Sequence, residues 1–295
     1  MRVTVTGGRG LIGSRLVALL RARGDDVTVL GRSGAAGAVA WDPLAGPAPA
    51  AALEGRDAVI HLAGEPIAQR WSAAVREAIR ASRTTGTANL IAGIEALGRP
   101  PGVLVSASAG GYYGDRGAET LTEESAPGAG FLAEVCAAWE RAALDARRLG
   151  VRVCVLRTGV VLDRRGGALA KMLPAFRLGV GGPVAGGRQY MSWIGVGDLA
   201  GLYRAALDDA RYDGPFNATA PTPATNAEFS RALGRALHRP AVAPVPAAAL
   251  KLLYGAMAEI VTDSQNAIPA RALALGHSFE HPTLDAALAV ALGAG

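Results

Sequence analysis

This chain of 295 residues has only two cysteines, only two lysines and no long apolar run. Cys136 and Cys154 stand without metal-ligand spacing, which excludes a disulfide framework and a metal centre and leaves two buried thiols. No stretch approaches the roughly eighteen apolar residues that a membrane helix needs, and the N-terminus enters a strand at Arg2 without the charged, apolar and cleavage regions of a leader. No membrane partner and a cytoplasmic address are the expectation. Lys171 and Lys251 are the only lysines among thirty basic residues. The arginines behind the net charge of +5 are scattered, with no aromatic-basic platform, so nucleic acid is excluded as a partner.

Short β-branched runs alternate with helical periodicity. RVTVT is followed by a helix over Leu11 to Arg23, then DVTVL, AVIHLAG from Ala58, a helix near Ser72 to Leu97, GVLVSAS from Gly102, a helix near Ala133 to Leu149, and RVCVLRT from Arg152. Strands separated by helices predict an α/β fold of Rossmann type, a doubly wound parallel sheet, and continuous apolar strands are those covered on both faces. Residues 34–57 are low in complexity and read as a surface excursion with one short strand around Ala38 to Trp41. The pattern predicts a dinucleotide domain over 1–160, completed by segments around 190–220. The stretches 161–190 and 221–295 are expected to form a smaller substrate lobe.

TGGRGLIGS places Gly7, Gly10 and Gly13 at GxxGxxG spacing directly after a strand, with Leu11 and Ile12 opening the next helix. Glycine suits a tight turn, a close backbone approach to a pyrophosphate and close helix–strand packing, and the helix N-terminus offers amide donors. Where an NAD site carries an acidic residue after its second strand, this chain has Arg32; Asp25 and Asp26 lie at the other end. A guanidinium there suits a 2′-phosphate, and Arg9 adds a second charge, so the expected cofactor is NADP(H). Leu62, Ala63 and Gly64 close the next strand and are expected to let the cofactor lie close, whereas His61 reads as a packed strand residue.

The stretches TGGRGLIG, HLAGEPI, RWSAAVREAIRASR, SASAGGYYGD, FLAEVCAAWE, RTGVVLDRRGGALAKML and LGHSFEHPTLDAALA resemble the extended short-chain dehydrogenase/reductases, and more closely their atypical epimerase-family branch of the SDR39U type. The resemblance covers nearly the whole chain. It implies cofactor contacts at Gly7, Gly10, Gly13, Arg32, Leu62, Ala63 and Arg83. It also implies contacts at the loop from Arg157 through Gly159 and Val160 near the nicotinamide, and Ser106, in the GVLVSAS strand, is a further expected cofactor contact. Ser108 falls where such enzymes hold the reacting oxygen. The substrate implied is a small polar molecule, a sugar nucleotide among the candidates, and a homodimer is the family-level expectation. Pro269, Arg271, Gly276 and Phe279 match the family's C-terminal domain, to which no chemistry is assigned.

The superfamily's acid/base signature, Tyr followed four residues later by Lys on one helical face, is absent. Aligning Glu140 with the glutamate that usually follows it puts Leu132 and Cys136 at the two positions. Tyr112 or Tyr113, and also Glu124 or Glu140, are left to replace the missing pair, the tyrosines serving either as proton donor or as wall of the substrate pocket. Cys136 reads as inert. Asp198 reads as a helix cap. An NADP(H)-dependent oxidoreductase or epimerase is thus one reading, and a non-catalytic NADP(H)-binding sensor or regulatory protein is the alternative.

Overall fold

The structure is a computed structural model that describes residues 1–34 and 37–293. The first half runs β1 (Arg2–Thr6), α1 (Leu11–Ala22), β2 (Asp26–Gly31), β3 (Val39–Ala40), α2 (Ala50–Leu53), β4 (Ala58–His61), α3 (Ala73–Glu95) and β5 (Val103–Ala109). It continues with β6 (Thr120–Leu121), α4 (Phe131–Leu144), β7 (Arg152–Thr158), β8 (Val160–Leu162), α5 (Gly167–Arg177), β9 (Tyr190–Met191), β10 (Trp193–Gly195), α6 (Val196–Asp208) and β11 (Gly214–Ala218). The remainder holds β12 (Ala224–Thr225), α7 (Asn226–Leu237), α8 (Ala247–Tyr254), α9 (Glu259–Thr262), β13 (Asn266–Ala267), α10 (Ala270–Ala274) and α11 (Leu284–Leu292).

Seven strands form one sheet in the order β11-β7-β5-β4-β1-β2-β3. Every pairing in it is parallel. The chain winds outward from β1 through β2 to one edge and then through β4, β5 and β7 to the other. The order therefore reverses between β1 and β4, and a crevice opens at their carboxyl ends, where open α/β sheets take their ligands. Strand side chains alternate between two cores. Val3, Val5, Ile60, Val105 and Leu156 pack with Leu16 and Leu20 of α1 and with Leu199 and Tyr203 of α6. Leu30, Val59, Leu104 and Val155 pack with Leu90 and Ile94 of α3 and Ala143 of α4. The central strands β1, β4, β5 and β7 are sealed on both faces, which is why these runs are apolar throughout rather than alternating.

A third core joins Leu162, Leu169, Leu173, Trp193, Phe229, Leu233 and Leu288 into the smaller lobe. The expectation that all of 221–295 belongs to that lobe needs correction. α11 packs there, but the preceding tail runs along the open edge of the main sheet. Arg271 donates to the carbonyls of Pro215 (2.7 Å) and Asp213 (2.9 Å) and lies over the Phe216 ring at 4.3 Å. Asp198 accepts from the amides of Glu280 and His281, so its buried carboxylate anchors this tail and does not cap α6. β11 would otherwise present unpaired backbone groups; Arg271 of the tail takes the Pro215 carbonyl and Glu123 takes the Asn217 amide.

Candidate cofactor and substrate site

The turn between β1 and α1 is shaped by close approach. Gly7 has φ +67° and lies so near the next strand's end that a Cβ would sit 2.9 Å from the Leu62 carbonyl carbon; a Cβ on Gly13 would sit 2.3 Å from the Gly7 oxygen. Gly10 precedes α1 with extended backbone, no side-chain cap and no acidic residue in the first turn. Its own amide donates to Gly7 at 3.0 Å, while the amides of Leu11, Ile12 and Gly13 find no acceptor among the described residues. Unpaired donors at the positive end of a helix, beside a surface stripped of side chains, form a cradle for a diphosphate. The Leu11 side chain packs under the loop at Gly166 and Gly167, and Ile12 faces the core.

A buried chain of hydroxyls fixes the opposite wall. The Thr6 hydroxyl accepts from the amides of Leu62 and Ala63, both at 3.1 Å, so its one proton goes to His61 Nδ1 at 2.8 Å. His61 therefore carries its proton on Nε2 and donates to Thr87 at 3.0 Å. Burial, with Arg83 nearby, pushes the His61 pKa down to about 4. This is a packed neutral histidine that sets the Leu62–Gly64 turn. Arg83 lies outside Gly64, donates to the carbonyls of Glu65 (3.1 Å) and Ile79 (3.2 Å) and covers the Trp139 ring at 5.0 Å.

Across β1, the end of β2 brings Arg32 and Ser33 to the glycine turn. Arg9 Nη1 donates to Ser33 Oγ at 3.0 Å. Both Arg9 and Arg32 are exposed, and neither pairs with a carboxylate among the described residues. Asp25 and Asp26 sit at the far end of β2, engaged by the N-terminal ammonium, Arg23 and Arg56.

The catalytic expectations fare less evenly. Ser108 is buried and donates to Glu140 Oε1 at 2.7 Å. Glu140 is held in turn by Arg157, Nε to Oε1 and Nη2 to Oε2, both at 2.9 Å. Burial alone would lower the Arg157 pKa, but the hydrogen bonds and charge of Glu140 outweigh it and raise it. Arg157 is thus a core ion-pair partner, its guanidinium spent on Glu140, Tyr113 and the Glu123 carbonyl. Tyr113 is fully buried: its hydroxyl donates to Asn217 Oδ1 at 2.6 Å and accepts from Arg157 Nη1 at 3.0 Å. Buried with its proton spent on Asn217, it is corrected from proton donor to structural hydroxyl, and burial pushes its pKa up to about 12. Ser106 is likewise sealed in its strand, and Glu124 is exposed. Tyr112 is half-buried, its ring on the Arg157 guanidinium at 3.5 Å, with no hydrogen bond from its hydroxyl to any described residue.

Leu132, Cys136 and Glu140 do share one face of α4, one turn apart, and that face meets the loop after β5: a Cβ on Gly111 would touch Leu132 and Cys136 Sγ. Burial pushes the Cys136 thiol up to about 12. Gly159 is required by packing, since a Cβ would lie 2.5 Å from the Ser192 carbonyl oxygen, and the Val160 amide donates to that same oxygen at 2.8 Å. Sequence reasoning missed Ser33, which follows Arg32, and Asn217 and Gln265, which carry no motif.

Residues 3–218 match the model of the NAD dependent epimerase/dehydratase family, and residues 245–291 match a domain of unknown function. The epimerase family protein SDR39U1 homolog of Arabidopsis thaliana, described as chloroplastic, is 42% identical over 299 residues, covering 98% of this chain and 86% of that protein. A crystal structure of human epimerase family protein SDR39U1 with NADPH has a TM-score of 0.91 at 38% identity, covering 99% of this chain and all of that one. The nucleoside-diphosphate sugar epimerase of Corynebacterium glutamicum has a TM-score of 0.82 at 38% identity over the whole of this chain and 58% of its own. With a glycine cradle, a parallel sheet and a matched length of this extent, the chain belongs to the NAD dependent epimerase/dehydratase family.

Proposed function

We propose that the protein is an NADP(H)-dependent oxidoreductase or nucleotide-sugar epimerase acting on a small polar substrate. The observation that carries the cofactor choice is the pairing of Arg9 with Ser33 beside Arg32, two guanidinium groups with no carboxylate partner among the described residues at the corner where an NAD site needs a carboxylate. The NADPH held by the human relative supports it, and the name of the Corynebacterium protein supports a nucleotide sugar. When bound, the cofactor supplies or accepts hydride. The free amides of Leu11, Ile12 and Gly13 hold its diphosphate, Arg9 and Arg32 hold the 2′-phosphate, and the Leu62–Gly64 backbone lets it lie close.

Arg83, whose guanidinium lies over the Trp139 ring of α4, supplies the positive charge that a lysine at position 136 would have brought. Ser108, its proton committed to Glu140, keeps only acceptor lone pairs, which suit a substrate hydroxyl. Among the described residues, Tyr112 is the hydroxyl near these groups left to carry a proton. The buried, proton-holding Cys136 on the catalytic face of α4 favours a second reading, a protein that binds NADP(H) without turnover. The deciding experiment follows reduced-cofactor absorbance across carbonyl compounds and nucleotide sugars. Turnover that Tyr112→Phe abolishes is the expected result, and micromolar NADPH binding with no turnover by wild type across the panel decides for the second reading.

A further inference from the structure

The C-terminal segment of unknown function delivers one side chain to the crevice. Gln265 is held by its backbone: its amide donates to Tyr190 at 3.0 Å, its carbonyl accepts from Ser192 at 2.7 Å, and the next two residues pair with β6. Its side chain reaches the carboxyl ends of β5 and β7. A Cβ on Gly110 would sit 2.9 Å from Gln265 Oε1 and 3.7 Å from the Thr158 carbonyl oxygen.

What sets this side chain apart is that its terminal amide group has no partner among the described residues. Every other Asn and Gln in the chain donates from its side-chain nitrogen: Gln69 to Pro66, Asn89 to Pro43, Gln189 to Val184, Asn217 to Ile268, Asn226 to Met191 and Asn266 to Ala118. Gln265 makes no side-chain hydrogen bond to any described residue, although its backbone is tied on both sides. Gln265 is half-buried, its backbone is fixed, and its side-chain donors and acceptor are left for a bound molecule to use.

We propose that Gln265 contacts the substrate, its amide hydrogen-bonding a neutral oxygen, hydroxyl or carbonyl, at the reacting end. An amide donates and accepts without charge, which matches a hydroxyl or carbonyl; a phosphate or carboxylate calls for a cation. The unknown domain thereby completes the substrate site. Gly110 belongs to the same device, because a Cβ there would meet the Gln265 amide oxygen and turn the side chain away from this position. The inference rests on the cofactor reading above.

Position is tested first, in the full-length protein. Cys136 and Cys154 are buried with thiols pushed up to about 12, so Gln265→Cys creates the one reactive thiol. Iodoacetamide, followed by intact mass, is expected to add once to this variant and not to wild type, with saturating NADPH slowing the addition by about tenfold. No adduct, or an unchanged rate in a variant that binds NADPH as wild type does, overturns the proposal; failure of wild type to bind NADPH is read separately and counts against the cofactor assignment. On a compound turned over by wild type, Gln265→Leu should lower kcat/KM by about tenfold or more with NADPH affinity unchanged. Gly110→Ala should reproduce that loss, and the double variant should lose no more than either alone. Unchanged kcat/KM in Gln265→Leu sinks the idea.

Discussion

Arg9 and Arg32 reach one corner from two elements, the glycine turn and the end of β2, and Ser33 ties the first of them in place. A charge-assisted contact to phosphate contributes about 1.5–3 kcal/mol, so Arg32→Ala is expected to weaken NADPH binding by roughly ten- to a hundredfold while leaving NADH little changed. Fluorescence titration of both cofactors at low salt reads this directly, and equal losses would mean that the second strand end does not select the cofactor. Arg32 was legible because it occupies a numbered place after a recognisable turn. Tyr113 was not, because adjacent tyrosines look alike in a sequence while one hydroxyl is spent on Asn217 and Arg157 and the other is not.

At the scale of elements, α4 and β7 are joined by the Glu140–Arg157 pair, whose side chains are 7% and 4% exposed. Two charges buried together are tolerated because two parallel hydrogen bonds and further partners at Ser108, Tyr113 and Glu123 satisfy them. Removing one partner strands the other. Arg157→Met is therefore expected to cost about 3–5 kcal/mol in urea unfolding, and adding Glu140→Leu to restore a large part of it. If the double variant is no more stable than the single, the pair acts through shape and not charge. The helix itself was foreseen within a few residues, as were the five strands with β-branched runs and the short strand at β3. β11, GPFNA, carries too little apolar pattern to be singled out, and it exists as a strand because β7 on one side and the tail on the other hold it.

For the whole molecule, buried titrating groups set how stability follows pH. His61 titrates at about 4 in the folded chain against an ordinary 6.5, so between those values the unfolded chain binds a proton that the folded chain refuses. Its contribution is complete above pH 6.5 and is lost as pH falls toward 4, by on the order of 3 kcal/mol. Asp263 acts in the opposite sense: burial, with Asp115 and Glu259 nearby, raises it to about 6, so its contribution is present at low pH and lost as pH rises through that value. The His61→Gln variant isolates the first effect. Chemical denaturation of both proteins from pH 4 to 7 should show a shallower slope for the variant, and identical slopes would remove His61 as a source of acid sensitivity.

The sequence by itself determined the parallel sheet, the glycine cradle, the arginines at the end of β2 and the loss of the Tyr–Lys pair. All of these are local: a period, a spacing, or a residue type at a counted distance from a turn. Only the tertiary structure decided which polar groups remain free. Ser108, Tyr113 and Arg157 are consumed by partners up to about a hundred residues away, whereas Gln265 arrives from the far end of the chain with its amide unspent. A hydrogen bond between distant segments leaves no periodic trace, and the chemistry of this crevice depends on which groups are already satisfied.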